Sequence, residues 1–360
     1  MPSGWLRAVA ADARSVRAVR RAGSPVACPA VTETSDADWP GVSVVVPVLD
    51  EEAHLRAAVS TVLGQDYPGD LEVVLALGPS RDRTDEIAAE LAAADDRVRL
   101  VPNPSGATGA GLNLALAASR HEVVVRLDGH ALVPDDYVRV AVETLRRTGA
   151  DNVGGLMAAE GVTDFQRAVA AAMTSPFGVG QASFHTGGEE GPALTVYLGA
   201  FRREVLDRLG GYDESFLRAQ DWELNHRIRS SGGVVWFTPR LTVSYRPRSS
   251  LRALARQYRD YGRWRRVVMR EHEGTASLRY LAPPVAVVAV TAGTVVGLAG
   301  WRPALLAPAG YVVGVLVGSA AAGRGLPPRS RAWLPLVLAT MHGAWGVGFL
   351  TSPRALRAPR

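Results

Sequence analysis

Apolar residues first gather into short unbroken runs. Positions 42–46 are β-branched apart from one serine and stop at Pro47, the pattern of a strand buried on both faces. The runs at 71–77, 98–101 and 123–127 read the same way, and between them 51–63, 82–94 and 111–118 carry apolar residues at helical spacing. Strands alternating with helices predict an open α/β sheet with right-handed crossovers. Ligands of such sheets bind outside the carboxyl ends of the strands, so the residues just after each run are the ones to inspect.

The later half is less regular. Positions 186–192 (TGGEEGP) read as a mobile loop, 199–209 run into a helix, 221–229 are helical, and 234–237 and 241–245 are strand-like. A long arginine-rich helix follows, with Tyr258, Tyr261 and Trp264 three residues apart. Three apolar stretches close the chain, at about 281–300, 303–322 and 333–351. Each is near the roughly 20 residues that span a bilayer as a helix. None holds Asp, Glu or Arg in its interior, and the third holds His342. They are read as about three transmembrane helices, with buried core helices as the alternative.

The expected organisation is a basic segment and linker at 1–40, an α/β domain at 41–247, an arginine-rich interfacial helix at 248–280, a membrane region at 281–352 and a basic tail at 353–360. No cleavable signal peptide is expected, because 1–23 has five arginines and no continuous apolar core. That segment, with Trp5, Leu6, Val9 and Val16, either lies on a membrane as a helix or is a frayed tail.

Charge sharpens the membrane reading. All 40 basic residues are arginine, and between Arg246 and Arg279 ten arginines face only Asp260, Glu271 and Glu273. A basic band before an apolar stretch marks the cytoplasmic flank of a membrane span and a contact for anionic lipid headgroups. No nucleic-acid motif accompanies it, so nucleic acid is not an expected partner. The single cysteine, Cys28, excludes an intramolecular disulfide and a cysteine metal cluster. The expected location is the inner (plasma) membrane, multi-pass, with the domain at 41–247 cytoplasmic. The first two spans then form a hairpin around Trp301 and Arg302. A third span would carry Arg354, Arg357 and Arg360 across, against the charge rule. Either the tail violates the rule or one stretch does not cross; the first is the suspect, because Pro283 and Pro284 interrupt its start.

Three constellations carry candidate chemistry. Pro47, Asp50, Glu51 and Glu52 end the first strand, where acidic residues also suit the first turn of a helix. Arg126-Leu127-Asp128-Gly129-His130 ends the fourth; an Asp there, with His130 two residues on, can hold Mn2+ or Mg2+ against diphosphate oxygens, or form a plain turn with a structural histidine. Asp221, after Gly210-Gly211-Tyr212-Asp213-Glu214 and Gln220, sits at a helix start, as a cap or as a carboxylate base for a hydroxyl proton.

These segments, with Ser80-x-Asp82-x-Thr84, Asn113 in Gly-Leu-Asn-Leu-Ala and Gly199-Ala200-x-Arg202-Arg203, occur in an order that resembles the family 2 inverting glycosyltransferases. The Asp-x-His form and Tyr261-Gly262-Arg263-Trp264 resemble the succinoglycan-biosynthesis branch. The resemblance covers about 42–266. It implies a nucleotide-diphospho-sugar transferase fold with a mixed, mostly parallel sheet, followed here by C-terminal transmembrane helices.

For the site, the resemblance implies Asp221 as catalytic base and Asp128 at the donor diphosphate and metal; His130, two residues on, is the candidate second metal ligand or a structural histidine. Pro47, Asp50, Glu51, Asp82, Asn113 and Arg126 lie on the donor side, and Gly199, Ala200, Gln220 and Trp222 on the acceptor side. The implied donor is a nucleotide diphosphate sugar; membrane lipids are expected partners from the arginine band, and a lipid-linked acceptor is expected if the Tyr258, Tyr261 and Trp264 helix lies at the interface rather than packing under the domain. Three features depart from the family pattern. Leu77-Gly78-Pro79-Ser80 replaces Asp-Asp-Gly-Ser, Gln220-Asp221 replaces Glu-Asp, and Gln257 is too far from Arg263-Trp264 to form Gln-x-x-Arg-Trp, which favours one sugar per event over polymer synthesis. The alternative expectation is a non-catalytic, sugar-nucleotide-binding membrane component of a polysaccharide export assembly.

Overall fold

The computed structural model describes residues 39–180, 182–354 and 356. The basic segment at 1–23, Cys28, and Arg357 and Arg360 of the tail lie outside the described residues. In chain order the elements are β1 (Val42–Val48), α1 (Leu55–Leu63), β2 (Leu71–Leu77), α2 (Thr84–Ala94), β3 (Val98–Pro102), α3 (Thr108–Ala118), β4 (Val123–Arg126), α4 (Tyr137–Thr148), β5 (Asn152–Ala159), α5 (Asp164–Met173), β6 (Gly191–Pro192), β7 (Tyr197–Arg202), α6 (Arg203–Leu209), α7 (Gln220–Ser230), β8 (Val235–Tyr245), α8 (Leu251–Glu271), α9 (Leu278–Leu298), α10 (Leu306–Ala322) and α11 (Pro328–Leu350). The chain divides into two compact units, one of residues 39–158 and 187–245, the other of 159–186 and 246–354. The segment 159–186 therefore groups with the C-terminal helices, a division that linear boundaries at 247 and 280 did not foresee.

The first unit is built on an eight-stranded mixed sheet of order β3-β2-β1-β4-β7-β5-β8-β6. β1 pairs in parallel with β2 and β4, and β2 with β3; β7 then runs antiparallel to β4 and β5. The continuous apolar runs become the inner strands because helices cover both sheet faces: Val42, Val44, Val73, Leu75 and Val125 are fully buried. Each such side chain contributes about 1.5–3 kcal/mol on burial. Glu72 is the buried acid on β2, and its carboxylate accepts from Ser43 Oγ at 2.7 Å and from the Arg120 amide at 2.7 Å, with Arg99 beside it.

Several boundaries differ from the sequence expectation. The first helix starts at Leu55 rather than Glu51, since Asp50 turns the chain with φ 54. Residues 199–202 belong to β7, and only Arg203–Leu209 is helical. The two expected strands at 234–237 and 241–245 are one strand, β8, running through Pro239.

The second unit contains α5 and α8–α11. Thr163 and Gln166 form a reciprocal capping box that starts α5. α9 is continuous through Pro283 and Pro284. Pro284 has no N–H for the Tyr280 carbonyl four residues back, and that carbonyl instead accepts from Trp345 Nε1 at 3.4 Å. Three helices here are long and apolar enough to cross a membrane.

Candidate active site

The site lies at the carboxyl ends of the parallel strands, where an open sheet of this kind leaves its crevice. The loops after β1 and β2 are stitched together. The Asp50 amide donates to Ser80 Oγ at 3.1 Å, and the Arg81 amide returns to Asp50 Oδ1 at 2.8 Å. The Glu51 amide donates to Thr84 Oγ1 at 2.8 Å and the Glu52 amide to Asp82 Oδ2 at 3.1 Å. Asp82 Oδ1 also accepts from the Thr84 amide at the start of α2. The Thr84 hydroxyl holds the Asp82 carboxyl below its usual range. Pro47 sits in register with Ala76. Beside this stitched pair a cleft of about 370 Å³ opens between Leu77, Gly78, Pro79, Leu100, Pro102 and Asn103.

Arg126 is the last residue of β4, opposite Gly199 of β7, and is only 5% exposed. Its Nη2 donates to Asp128 Oδ1 at 2.8 Å, and its Nη1 donates to Oδ2 of Asp221. One buried guanidinium thus joins the acid after β4 to the acid on α7. The N-cap of α7 is Ala219, with φ 63 and no side-chain cap, so Asp221 lies inside the first turn and is not the cap. Asp221 Oδ1 is buried and has no hydrogen-bond partner among the described residues. Burial raises the Asp221 carboxyl above its ordinary range; Arg126 pulls it down and the charge of Asp128 pushes it up again.

His130 Nδ1 lies 2.6 Å from Glu51 Oε1. Gly129 makes room for that contact, since a Cβ there would lie 3.1 Å from Glu51 Cγ. Among the described residues no three His, Cys, Asp or Glu side chains gather into a closed metal cage. A carboxylate plus an imidazole two residues on fits a cation that takes its remaining ligands from diphosphate oxygens and water, the habit of Mg2+ in phosphate-transfer sites.

Asn113, expected on the donor side, has its amide engaged by the Gly211–Glu214 turn. It donates to the Tyr212 carbonyl at 2.8 Å and to Glu214 Oε1 at 2.9 Å, and accepts from the Tyr212 amide at 2.8 Å. Arg227 holds the same turn from α7, donating to the carbonyls of Leu209 and Gly211 at 2.8 Å each while paired with Glu223. Tyr212 is thereby fixed with its hydroxyl buried and without a hydrogen-bond partner among the described residues. Burial raises that phenol above its usual range, and the charges that act on it next are those of Asp221, Arg126 and Asp128. In the sequence Tyr212 stands only as one residue of Gly-Gly-Tyr-Asp-Glu, with nothing there to mark it for the site.

Of the expected acceptor-side residues, Gly199 and Ala200 are interior strand positions. Ala200 is 1% exposed, and a Cβ on Gly199 would lie 2.5 Å from the Phe201 ring. Gln220 is buried, and Trp222 stacks on His226 with centroids 5.4 Å apart. The structure gathers Arg126, Asp128 and Asp221 at one point and leaves Asp50 and Asp82 in the loops by the cleft. Asp50, Leu198 and Ala219 are the non-glycine residues with positive φ among those described, at 54°, 52° and 63°. All three adjoin this region. Backbone strain of this kind costs on the order of 1–3 kcal/mol per residue and collects where geometry serves function.

The sheet thus carries acids after β1 and β4 and a third on α7 at one edge. Comparison with known proteins gives the class, a glycosyltransferase. Residues 43–210 match the family model for glycosyl transferase family 2. The chain is 33% identical to the succinoglycan biosynthesis protein ExoA of Rhizobium meliloti over 311 residues, 85% of this chain and 93% of that one. A dolichyl N-acetyl-glucosaminyl-phosphate glucuronosyltransferase (a diacetamido-dideoxy sugar transferase) of Methanococcus voltae is 22% identical over 67% of this chain and 77% of its own. Among solved structures, a mannosyltransferase from Pyrobaculum calidifontis, in complex with GDP-Man and Mn2+, superposes with a TM-score of 0.56 at 21% identity, covering 96% of this chain and 97% of that one. The chain belongs to glycosyltransferase family 2, in the branch of the succinoglycan biosynthesis protein, and is a nucleotide-sugar glycosyltransferase of the kind that builds polysaccharides or glycolipids.

Proposed function

We propose that this enzyme inverts the anomeric centre in a single in-line displacement, with Asp221 as the base. The observation that supports this is the arrangement of Asp221: Oδ2 is anchored by Arg126 and Oδ1 has no hydrogen-bond partner among the described residues. The anchored carboxylate is oriented, and its buried second oxygen holds no other hydrogen-bond donor among the described residues when an acceptor hydroxyl reaches it. In the reaction the acceptor hydroxyl gives its proton to Asp221 as its oxygen bonds to the anomeric carbon. The bond from that carbon to the diphosphate breaks on the opposite face, and the nucleoside diphosphate leaves. An α-linked donor then yields a β-linked product.

Asp128 and His130 would hold Mn2+ or Mg2+ at the diphosphate, where the cation supplies charge stabilisation to the leaving group. The buried Arg126 keeps Asp128 and Asp221 at fixed separation despite their like charge. Asp50 and Asp82 set the loops that border the cleft by Gly78 and Pro79, and the nucleoside is assigned there. Asn113 serves by fixing Tyr212. Nothing in the site favours a non-catalytic component, since Asp128 and Asp221 are both present and joined.

The acceptor we assign is lipid-linked, and the catalytic domain we place on the cytoplasmic side of the plasma membrane. The support is the arginine-rich α8 beside apolar α9, on the charge rule for membrane flanks. The test of the chemistry is product stereochemistry by proton NMR, using an α-linked nucleotide sugar. A β-linked product is expected, and an α-linked product would refute the single displacement.

A further inference from the structure

The three apolar helices do not meet their surroundings in the same way. In α9 the most apolar stretch is 11% buried, in α10 with its preceding turn 22%, and in α11 39%. α9 and α10 expose large apolar side chains outward, Leu298 at 79% and Leu306 at 75% among them. They join through a tight turn at Gly300–Arg302, with Gly297 packed on Leu305. This pair has the form of a hydrocarbon-embedded hairpin.

α11 is instead covered on one side by the charge-bearing helices α5 and α8, while its other side touches α9 through Gly346 on Pro283 and α10 through His342 on Tyr311. Its first half packs on α5: Ser330 Oγ donates to Asp164 Oδ1 at 2.7 Å, Trp333 meets Phe165 edge-on at 5.4 Å, and Leu334, Val337, Leu338 and Met341 are fully buried. Its second half packs on α8 with the backbones touching. A Cβ on Gly262 would lie 2.1 Å from the Trp345 carbonyl oxygen, and one on Gly348 would lie 2.0 Å from that of Arg259. Arg266 donates to the Phe349 carbonyl at 3.0 Å, and Arg270 to those of Pro353 and Ser352 at 2.7 and 3.1 Å. These guanidiniums close the last turn of α11, where a helix presents its orphan carbonyls. α8 itself carries seven arginines in its 21 residues. A helix so charged does not enter hydrocarbon, and a helix bound to it over several turns stays at its depth.

We propose that the chain crosses the bilayer twice, through α9 and α10, and that α11 lies in the interface beside α8, on the side from which α9 enters. The outward strip of α11, with Trp333, Leu336, Val347 and Leu350 all exposed, is the surface that meets the lipid. This arrangement removes the conflict with the charge rule. Arg302 alone lies at the far turn, and Arg324, Arg329, Arg331 and Arg354 remain on the near side. It also clears α9 of suspicion, because the carbonyl that Pro284 leaves unbonded is taken up by Trp345 of α11.

The inference deepens the proposed membrane placement and is independent of the chemistry. The test uses the full chain with Cys28→Ala and one new cysteine, at Ala299 or at Pro353, both exposed. A membrane-impermeant maleimide is applied to spheroplasts and then to lysed membranes. The expected result is labelling of A299C in intact spheroplasts and of P353C only after lysis. A fluorescent protein that matures only in the cytoplasm, fused after Arg360, should fluoresce. Labelling of P353C from outside, a dark fusion, or protection of A299C in spheroplasts overturns the two-span arrangement. Transferase activity in the same membranes reports the chemistry separately, so failure of one is not failure of the other.

Discussion

Arg126, at the end of β4, donates to Asp221 in the first turn of α7, 95 residues further along the chain. The same guanidinium holds Asp128 at 2.8 Å. Removing it leaves two acids facing each other around a buried gap, and breaking a buried pair costs about 3–5 kcal/mol. Arg126→Gln should therefore lower the melting temperature as well as turnover. Arg126→Lys keeps the charge and loses the fork, since an ammonium is a point donor. It should recover much of the stability and little of kcat. Full turnover in R126K would show that the bidentate link is not needed.

Asp221→Asn is nearly isosteric and cannot take a proton. Turnover should fall about 10²–10⁴-fold, the usual scale for a positioned general base. Binding of the nucleotide diphosphate, followed by calorimetry, should change little. Wild-type turnover would reduce Asp221 to a partner for Arg126.

Tyr212→Phe separates a structural from a chemical role. The hydroxyl has no hydrogen-bond partner among the described residues, so its removal should leave stability within about 1 kcal/mol or raise it. A hydroxyl kept buried beside Asp221 and Asp128 is expected to meet substrate, and kcat/KM should fall roughly tenfold, about one hydrogen bond's worth. Asn113→Ala, which releases the turn that holds Tyr212, should lower both stability and activity. Equal kinetics for Y212F and wild type would exclude the hydroxyl from the site.

How much of this was legible beforehand follows from what sets each feature. β1 to β4 and α1 to α3 are local: continuous apolar runs and helical spacing name them within a few residues. β7 was hidden because 199–202 lead straight into α6 and only their pairing with β4 makes them a strand. Asp128 and Asp221 were legible as acids at element ends. Their joining through Arg126 was not, since it depends on a contact 95 residues apart. Nor was the backbone strain at Leu198, where nothing in a leucine announces φ 52. The apolar stretches were plain, but their different burial is a property of α5 and α8.

Chelation should abolish donor turnover, and Mn2+ or Mg2+ should restore it. Asp128→Asn should raise the metal concentration needed for half activity by about tenfold or more, because a ligand charge is lost. Glu51→Gln tests His130, whose Nδ1 it faces at 2.6 Å. If His130 is a ligand, losing the carboxylate that orients it should weaken metal affinity about 10–100-fold. Unchanged metal dependence in E51Q and H130A, with D128N impaired, would leave Asp128 as the sole protein ligand.

Glu72 gives a pH dependence of stability. Burial alone would raise its carboxyl, but hydrogen bonds from Ser43, the Arg120 amide and Arg99 outweigh that and hold it below its ordinary value. A carboxyl lowered in the folded state stabilises at pH above its unfolded value and loses that contribution as pH falls through the folded one. Glu72→Gln should therefore lower the melting temperature at pH 7 and progressively less so as the pH falls below about 4. A difference from wild type that stays constant between pH 7 and pH 3 would contradict this.

The acceptor is the last point of test. Soluble and lipid-linked acceptors differ in where they present the hydroxyl, and if α9 and α10 anchor the enzyme as proposed, it meets the second kind by diffusion in two dimensions. Confinement of both partners to one surface raises their effective concentration, an effect that can reach 10²–10⁴ in avidity without any new contact. Truncation after Arg270 is a poor probe, because α8 would lose α11, its main packing partner in the second unit. The full chain in nanodiscs is the better one. With a polyprenyl-diphosphate glycan in the same disc, kcat/KM should exceed that for the free glycan by about 10² or more. Dissolving the discs in mild detergent should narrow the gap while leaving turnover of the soluble acceptor unchanged. Equal kcat/KM for both acceptors in the disc would rule out a lipid-linked acceptor and leave the two-span anchor with the single role of holding the enzyme at the membrane.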